Sequence, residues 1–206
     1  MATTTSTRLS KQARREQLLD TARAIVRTRG TDGLTLVTLA EEAGVSRPIA
    51  YDHFATRPGL LLALHRRLDE HHRAAITRAL RDAAPSAREV ARVISAAYFA
   101  CATDMPELSA VSAALKGNPE MEAIQHELTD SYADLMAGAL LPYSGLAPQT
   151  LRLRCVGVLG AAEAIAAELN RERATDGEAV TALTDLMVSG LDARGDRQGV
   201  SERSSG

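Results

Sequence analysis

Along almost the whole of this 206-residue chain, apolar residues return every three or four positions, and strand-like alternation occurs almost nowhere. That spacing restricts the fold to packed helices. Over 11–29, Leu18, Leu19, Ala22, Ile25 and Val26 share one face, with Ser10 as N-cap and Gly30 as stop. Two short helices follow, over 36–43 behind Thr35 and over 47–54 behind Ser46, separated by Gly44. Thr56 precedes a long amphipathic stretch carrying Leu60, Leu61, Leu64, Leu68, Ile76 and Leu80, which Pro85 ends. Ser86 with Glu89 spells a capping box for a helix to about 103, and Pro106 starts a short one to about 115. Asn118-Pro119 opens the next, and residues 142–148 are rich in turn formers. Helices over about 148–171 and 177–193 close an all-α fold of about nine helices, the last opened by a Thr175/Glu178 box. Residues 1–9 and 195–206 are polar and aperiodic and read as a disordered arm and tail.

Charge is distributed unevenly along this frame. Residues 1–67 carry 11 Lys/Arg against 6 Asp/Glu, whereas 68–206 carry 13 against 20. A basic first third on an acidic body suits a nucleic-acid-binding module joined to a part that does not bind nucleic acid. The first residues lack the apolar core of a secretory signal, and no apolar run is long enough for a bilayer. Cys101 and Cys155 have no metal or redox spacing. The expectation is a cytoplasmic protein with inert thiols, no cofactor and no membrane partner. No phosphate loop, nucleophile elbow or paired His/carboxylate signature points to an enzyme.

Thr35 to Phe54 reads TLVTLAEEAGVSRPIAYDHF. Leu39, Ala40 and Ala43 turn the first helix inward, Gly44 permits the tight bend, and Ala50 and Phe54 turn the second inward. Arg47, Pro48, Tyr51 and His53 are then left largely outside. Two short helices around a glycine turn make a helix-turn-helix, whose second helix enters the major groove. The order Leu34-Thr35, Leu39-Ala40, Ala43-Gly44-Val45-Ser46, Tyr51, Phe54 and Leu61, behind the Ile25/Val26…Gly30 helix, resembles the TetR-family DNA-binding domain over about residues 12–64. It departs from the usual pattern at Arg47-Pro48-Ile49 and at Ala-Thr-Arg-Pro-Gly after Phe54, where Arg57 replaces the usual lysine.

The resemblance implies that Tyr51 and Arg57 touch phosphate, the contacts that position such a protein without reading sequence. Arg47 suits a base, since guanidinium pairs bidentately with guanine. His53 suits base or phosphate, and Thr35, Ser46 and Pro48 complete the expected DNA-binding set. Arg8, Lys11 and Arg14 read as part of a solvated tail. The expected organisation is a DNA-binding domain over 10–56 and a helical regulatory and dimerisation domain over 57–194. The resemblance further implies a homodimer that represses from a palindromic operator until a small apolar ligand releases it. The alternatives are the same DNA module with no small-molecule effector and, remotely, a helical enzyme.

In the body, Leu151, Cys155, Val158, Leu159, Ala162, Ile165 and Leu169, with Leu183, Met187 and Leu191, form broad apolar faces on the last two helices. They are the expected dimer residues, beside Gly157, Gly160, Ala161 and Ala164, whose small size permits close helix approach. Tyr98, Phe99, Cys101, Met105, Met121, Tyr132 and Met136 would line an apolar ligand cavity of a few hundred (~300) Å3. His65, Asp69 and His72 share one face of the fourth helix at metal-like spacing, but their charged neighbours make them a solvated face.

Overall fold

The computed structural model describes residues 9–117 and 119–191, apart from the side chains of residues 102, 103, 121 and 125. Arg8, Asn118, most of the expected arm and the whole expected tail therefore lie outside the described residues. Helices α1 (Lys11–Arg29), α2 (Leu36–Glu42), α3 (Arg47–Phe54), α4 (Arg57–Asp82), α5 (Ala87–Asp104), α6 (Pro106–Ala114), α7 (Pro119–Leu140), α8 (Pro148–Leu169) and α9 (Asp176–Ser189) make up the fold. A single 3-10 turn, Leu141–Tyr143, joins α7 to the loop before α8, and no described residue is in a strand.

Most helix ends follow the expected chemistry. Ser10 Oγ accepts the Ala13 N–H at 3.1 Å, and Thr175 and Glu178 form a reciprocal box. Ser86 supplies only half of one: its Oγ accepts the Glu89 N–H at 3.2 Å, while the Glu89 carboxylate accepts from Arg92 instead. Ser46 stands at the N-cap of α3, but its hydroxyl makes no capping bond.

The chain forms two compact units. One contains the residues up to His72 together with Asp104–Met121, and the other contains Arg73–Thr103 and the residues from Glu122 onward. The boundary expected at 56/57 falls inside the first unit, which takes the first part of α4 and all of α6.

In the first unit Leu18, Leu34, Leu39, Leu60, Leu61, Leu64 and Leu68 are fully buried. α4 is enclosed on more sides than its pattern suggests. Arg67 reaches the carboxylates of Glu16 and Asp20 on α1, and His65 Nε2 meets Ser112 Oγ of α6 at 2.9 Å. The face taken as solvated is consequently interior: His65 is 3% exposed, Asp69 5% and His72 8%. Periodicity marks an apolar stripe, but it cannot register a second helix lying over polar positions. Among the described residues no three His, Cys, Asp or Glu side chains are placed to hold a metal.

The His65 contact fixes a tautomer. Ser112 Oγ donates to the Leu108 carbonyl at 2.9 Å, so it accepts from an Nε2–H of His65. Nδ1 is then an unprotonated nitrogen, buried without a hydrogen-bond partner. Burial is the largest cause holding His65 below the usual imidazole range, with Arg66 adding to it. His72 and His53 are lowered for the same first reason. Between about pH 7.5 and 5 the unfolded chain thus binds more protons than the native one, and stability falls as pH falls, by up to about 1.4 kcal/mol per pH unit for each proton. The lowered carboxyls of Glu89, Glu168 and Glu178 act in a separate, more acidic window. Thermal unfolding followed by circular dichroism should give a lower Tm at pH 5.5 than at 7.5. Equal values would mean that the histidines do not titrate against the fold.

The second unit is built round Ile94, Phe99, Met136, Leu140, Leu151, Cys155, Ala162, Leu183 and Met187, with Leu191 at its edge. Six of the residues expected at a dimer interface, Leu151, Cys155, Ala162, Leu183, Met187 and Leu191, are buried in this core and have no surface left to offer a partner. Val158, Leu159, Ile165 and Leu169 pack partly against it. The opposite side of α8 carries Leu153, Gly157, Gly160 and Ala164 at i, i+4, i+7 and i+11, all exposed, and α9 turns Leu186 outward.

Candidate nucleic-acid interface

The geometry of α2 and α3 is set by one residue of backbone freedom. Gly44 has φ 65°, in the left-handed region that side chains avoid, and the bend it allows closes with Val45 N–H donating to the Ala40 carbonyl at 3.0 Å. Thr35 and Thr38 cap α2 reciprocally, Thr35 Oγ1 accepting the Thr38 N–H at 3.0 Å and Thr38 Oγ1 accepting the Thr35 N–H at 2.9 Å. α3 buries Ala50 and Phe54. Arg15 of α1 lies over the Phe54 ring, 4.9 Å from its centroid, and donates to the His53 carbonyl at 3.0 Å. That pair of contacts fixes the end of α3 on α1, a role the sequence reading did not foresee.

α3 ends in a strained joint. Ala55 has φ 56° and ψ −52°, and the Thr56 N–H reaches back to the Phe54 carbonyl at 2.6 Å, a γ-turn of the unfavourable hand. Such a conformation costs about 1–3 kcal/mol and persists because the neighbouring helices hold it.

The outward side of α3 presents Arg47, Pro48, Ile49, Tyr51 and Asp52, with Ser46 just before it. The Arg47 guanidinium pairs with Glu41 at 3.1 Å, but both side chains are 61% exposed, so the pair contributes little and can open. Tyr51 is 49% exposed and does not pack away against α1. His53 is held below the usual range by burial first and then by the Lys11, Arg15 and Arg14 cations, against the opposing effect of Asp52; near pH 7 it is a neutral hydrogen-bonding group. Arg57 is half-buried and gives two N–H groups to protein carbonyls, Leu34 at 2.9 Å and Thr31 at 2.7 Å. Lys11 and Arg14, read as part of a tail, belong to the first turn of α1.

Leu9, Lys11, Arg14, Pro48, Ile49, Asp52 and His53 line one open groove, where Lys11 and Asp52 stand 4.0 Å apart. Ile49 was missed as a site residue because an isoleucine in a helix is usually core. The signal was nevertheless present, since it lies off the face that Ala50 and Phe54 define.

Ile76, Ile94, Tyr98, Tyr132, Leu135, Met136, Val158, Leu159, Ala162, Leu183 and Met187 surround a cavity of about 10 Å3, room for a single water at most. Of the expected lining residues, Tyr98, Tyr132 and Met136 are on it. Phe99 is core, edge-on to Tyr98 at 5.3 Å, Cys101 is half-buried, and Met105 belongs to the first unit. The Met121 side chain lies outside the described residues. The expected few hundred Å3 is not open in this conformation because side chains from five helices meet there. Burial raises the Tyr98 phenol to about 12 and the Cys155 thiol to about 11, so both stay protonated near pH 7. No described helix is long and apolar enough to cross a membrane.

Residues 18–64 match the family model for bacterial regulatory proteins, tetR family. The chain is similar to a solved structure of a protein with unknown function from Rhodococcus sp. RHA1, at 26% identity and TM-score 0.71, covering 92% of this chain and 99% of that one. A TetR-like transcriptional regulator from the same organism aligns at 22% identity and TM-score 0.62, over 89% and 98% of the two chains. The transcriptional regulator FadR from Bacillus subtilis, solved with stearoyl-CoA, aligns at 19% identity and TM-score 0.63, over 86% and 99% of the two chains.

Proposed function

We propose that this chain, whose N-terminal domain makes it a TetR-family transcriptional regulator, binds a palindromic operator as a homodimer and is released from it by a small apolar ligand. The reading rests above all on the outward face of α3: it keeps Arg47 and Tyr51 exposed on a helix held rigidly by the Gly44 bend and the Arg15 contacts. Arg47 reads a base after leaving Glu41. Tyr51, Thr35 and Ser46 contact phosphate or lie beside it. Arg57 adds its charge to the phosphate-facing rim while two of its N–H groups hold the loop before α2.

Selection from a random duplex library should enrich a two-fold symmetric site. On that site Arg47→Ala should relax the preference at one position per half-site, by about 1–3 kcal/mol, and Tyr51→Phe should weaken all sequences alike. A library that returns no enriched sequence would sink the reading.

Dimerisation is assigned to the exposed side of α8, with Leu186 of α9. A Cβ added at Gly157 or Gly160 would meet nothing within 4 Å, so packing inside the chain gives no reason for glycine there, whereas a closely approaching partner helix does. Two-fold operators need two recognition helices held about 34 Å apart, or a multiple of that spacing.

The ligand would enter by parting the seam at Tyr98, Tyr132 and Met136. The same DNA module with no small-molecule effector is the second reading, and the 10 Å3 cavity favours it. Calorimetry of apolar molecules, acyl-CoA included, with and without operator separates the two. By linkage an inducer must bind more weakly when DNA is present.

A further inference from the structure

The function proposed above leaves Ile49 unused. Among the described residues of the first unit, Leu9, Ile49 and Tyr51 are the large apolar side chains left exposed, and Leu9 and Ile49 line the same groove. Ile49 sits in the first turn of α3, next to Pro48, at the end of a recognition helix that meets base edges. It has no polar atom and therefore cannot read a donor or acceptor.

The lining of the groove combines two chemistries. Lys11 and Arg14 supply positive charge, with the Asp52 carboxylate offset by Lys11 at 4.0 Å, and Pro48, Ile49 and Leu9 supply apolar surface. An occupant that suits both carries anionic groups and an apolar surface. In the major groove every base pair brings phosphates alongside, but among the four bases thymine alone presents a methyl group.

The geometry points to Ile49 as a specificity-determining residue that reads a thymine in each half-site by packing on its 5-methyl group. The inference rests on α3 being the recognition helix. It further implies that the operator position facing Ile49 tolerates 5-methylcytosine better than cytosine, since the methyl occupies the same place in both bases.

The test uses the full chain and the operator obtained by selection. Each thymine is replaced singly by deoxyuridine, which removes the methyl and nothing else, and affinity is measured for the parent, Ile49→Ala and the milder Ile49→Val. Losing one buried methyl should weaken parent binding about fourfold at one thymine per half-site. Ile49→Ala should bind the thymine and deoxyuridine operators equally, and Ile49→Val should fall between the two. The deoxyuridine scan on the unaltered protein gives a result even if a variant folds poorly. Overturning results are a parent indifferent to every thymine methyl, or an Ile49→Ala protein that keeps the parent's ratio at the sensitive position. Failure to enrich any sequence would instead remove the DNA-binding reading on which this one stands.

Discussion

Replacing Gly157 and Gly160 together by leucine is expected to give a monomer that binds operator about a thousandfold more weakly and whose own fold, apart from the stabilisation that association lends the parent, is no less stable. The affinity estimate is the gap between specific operator binding and the non-specific binding of a single half-site reader. The stability expectation comes from open space: neither added Cβ meets an atom of the chain, and leucine is a better helix former than glycine by about 0.7 kcal/mol per site. Opposite signs for folding and association make the result hard to mistake for general damage. Sedimentation velocity and filter binding report association, and thermal unfolding reports the fold. A variant that remains dimeric would place the interface off this face of α8.

The second large effect concerns Glu107 in the first turn of α6. It is 1% exposed, and its Oε1 lies 3.3 Å from Arg23 Nε and 3.0 Å from Arg27 Nε on α1, while Oε2 is buried without a partner. The arginine side chains are 35% and 57% exposed and can return to water if the carboxylate is removed. The carboxylate has no such escape. Removing both arginines with Arg23→Ala and Arg27→Ala should therefore destabilise the protein by about 3 kcal/mol, the cost of stranding a buried charge. Adding Glu107→Leu to that double variant should recover most of the loss, and Glu107→Leu alone should cost little. Urea midpoints for the four proteins test this. If Glu107→Leu deepens the loss in the double variant, the carboxylate acts through packing and not through its charge.

Much of this architecture could be read from spacing and caps. The nine helices of the described residues fall where apolar periodicity, Ser10, Thr35, Thr175 and the proline starts put them, because these signals are local. The bend at Gly44 was legible because a positive φ selects for glycine, whereas Ala55 takes a positive φ with no residue type to announce it. Long-range placement was the harder part. Nothing near His65 in sequence says that Ser112 will lie over it, so a buried polar face passed for a solvated one. The apolar face of α8 was seen, but a face that is apolar for the chain's own core reads the same as one meant for a partner. On the proposed reading, what tells them apart is Leu153 and the two glycines on the other side, exposed and without a contact inside the chain for an added Cβ at either glycine.

The division of the chain has a consequence for how the protein is made. The first unit is interrupted in sequence: its last helix, α6, is translated only after α5, which belongs to the other unit. When α4 has emerged from the ribosome, Arg23 and Arg27 have no carboxylate and His65 has no hydroxyl. From the end of α4 at Asp82 to the end of α6 at Ala114 the missing stretch is about 32 residues long, and at about 5–20 residues per second it takes roughly 2–6 seconds to arrive. For that interval the nascent domain holds its helix-turn-helix without the helix that encloses α4, so its buried polar groups are still hydrated and its final stability is not yet reached. A fragment cut after α4 would be arrested in that state, and the smallest piece able to reach native stability in the first unit must extend through α6.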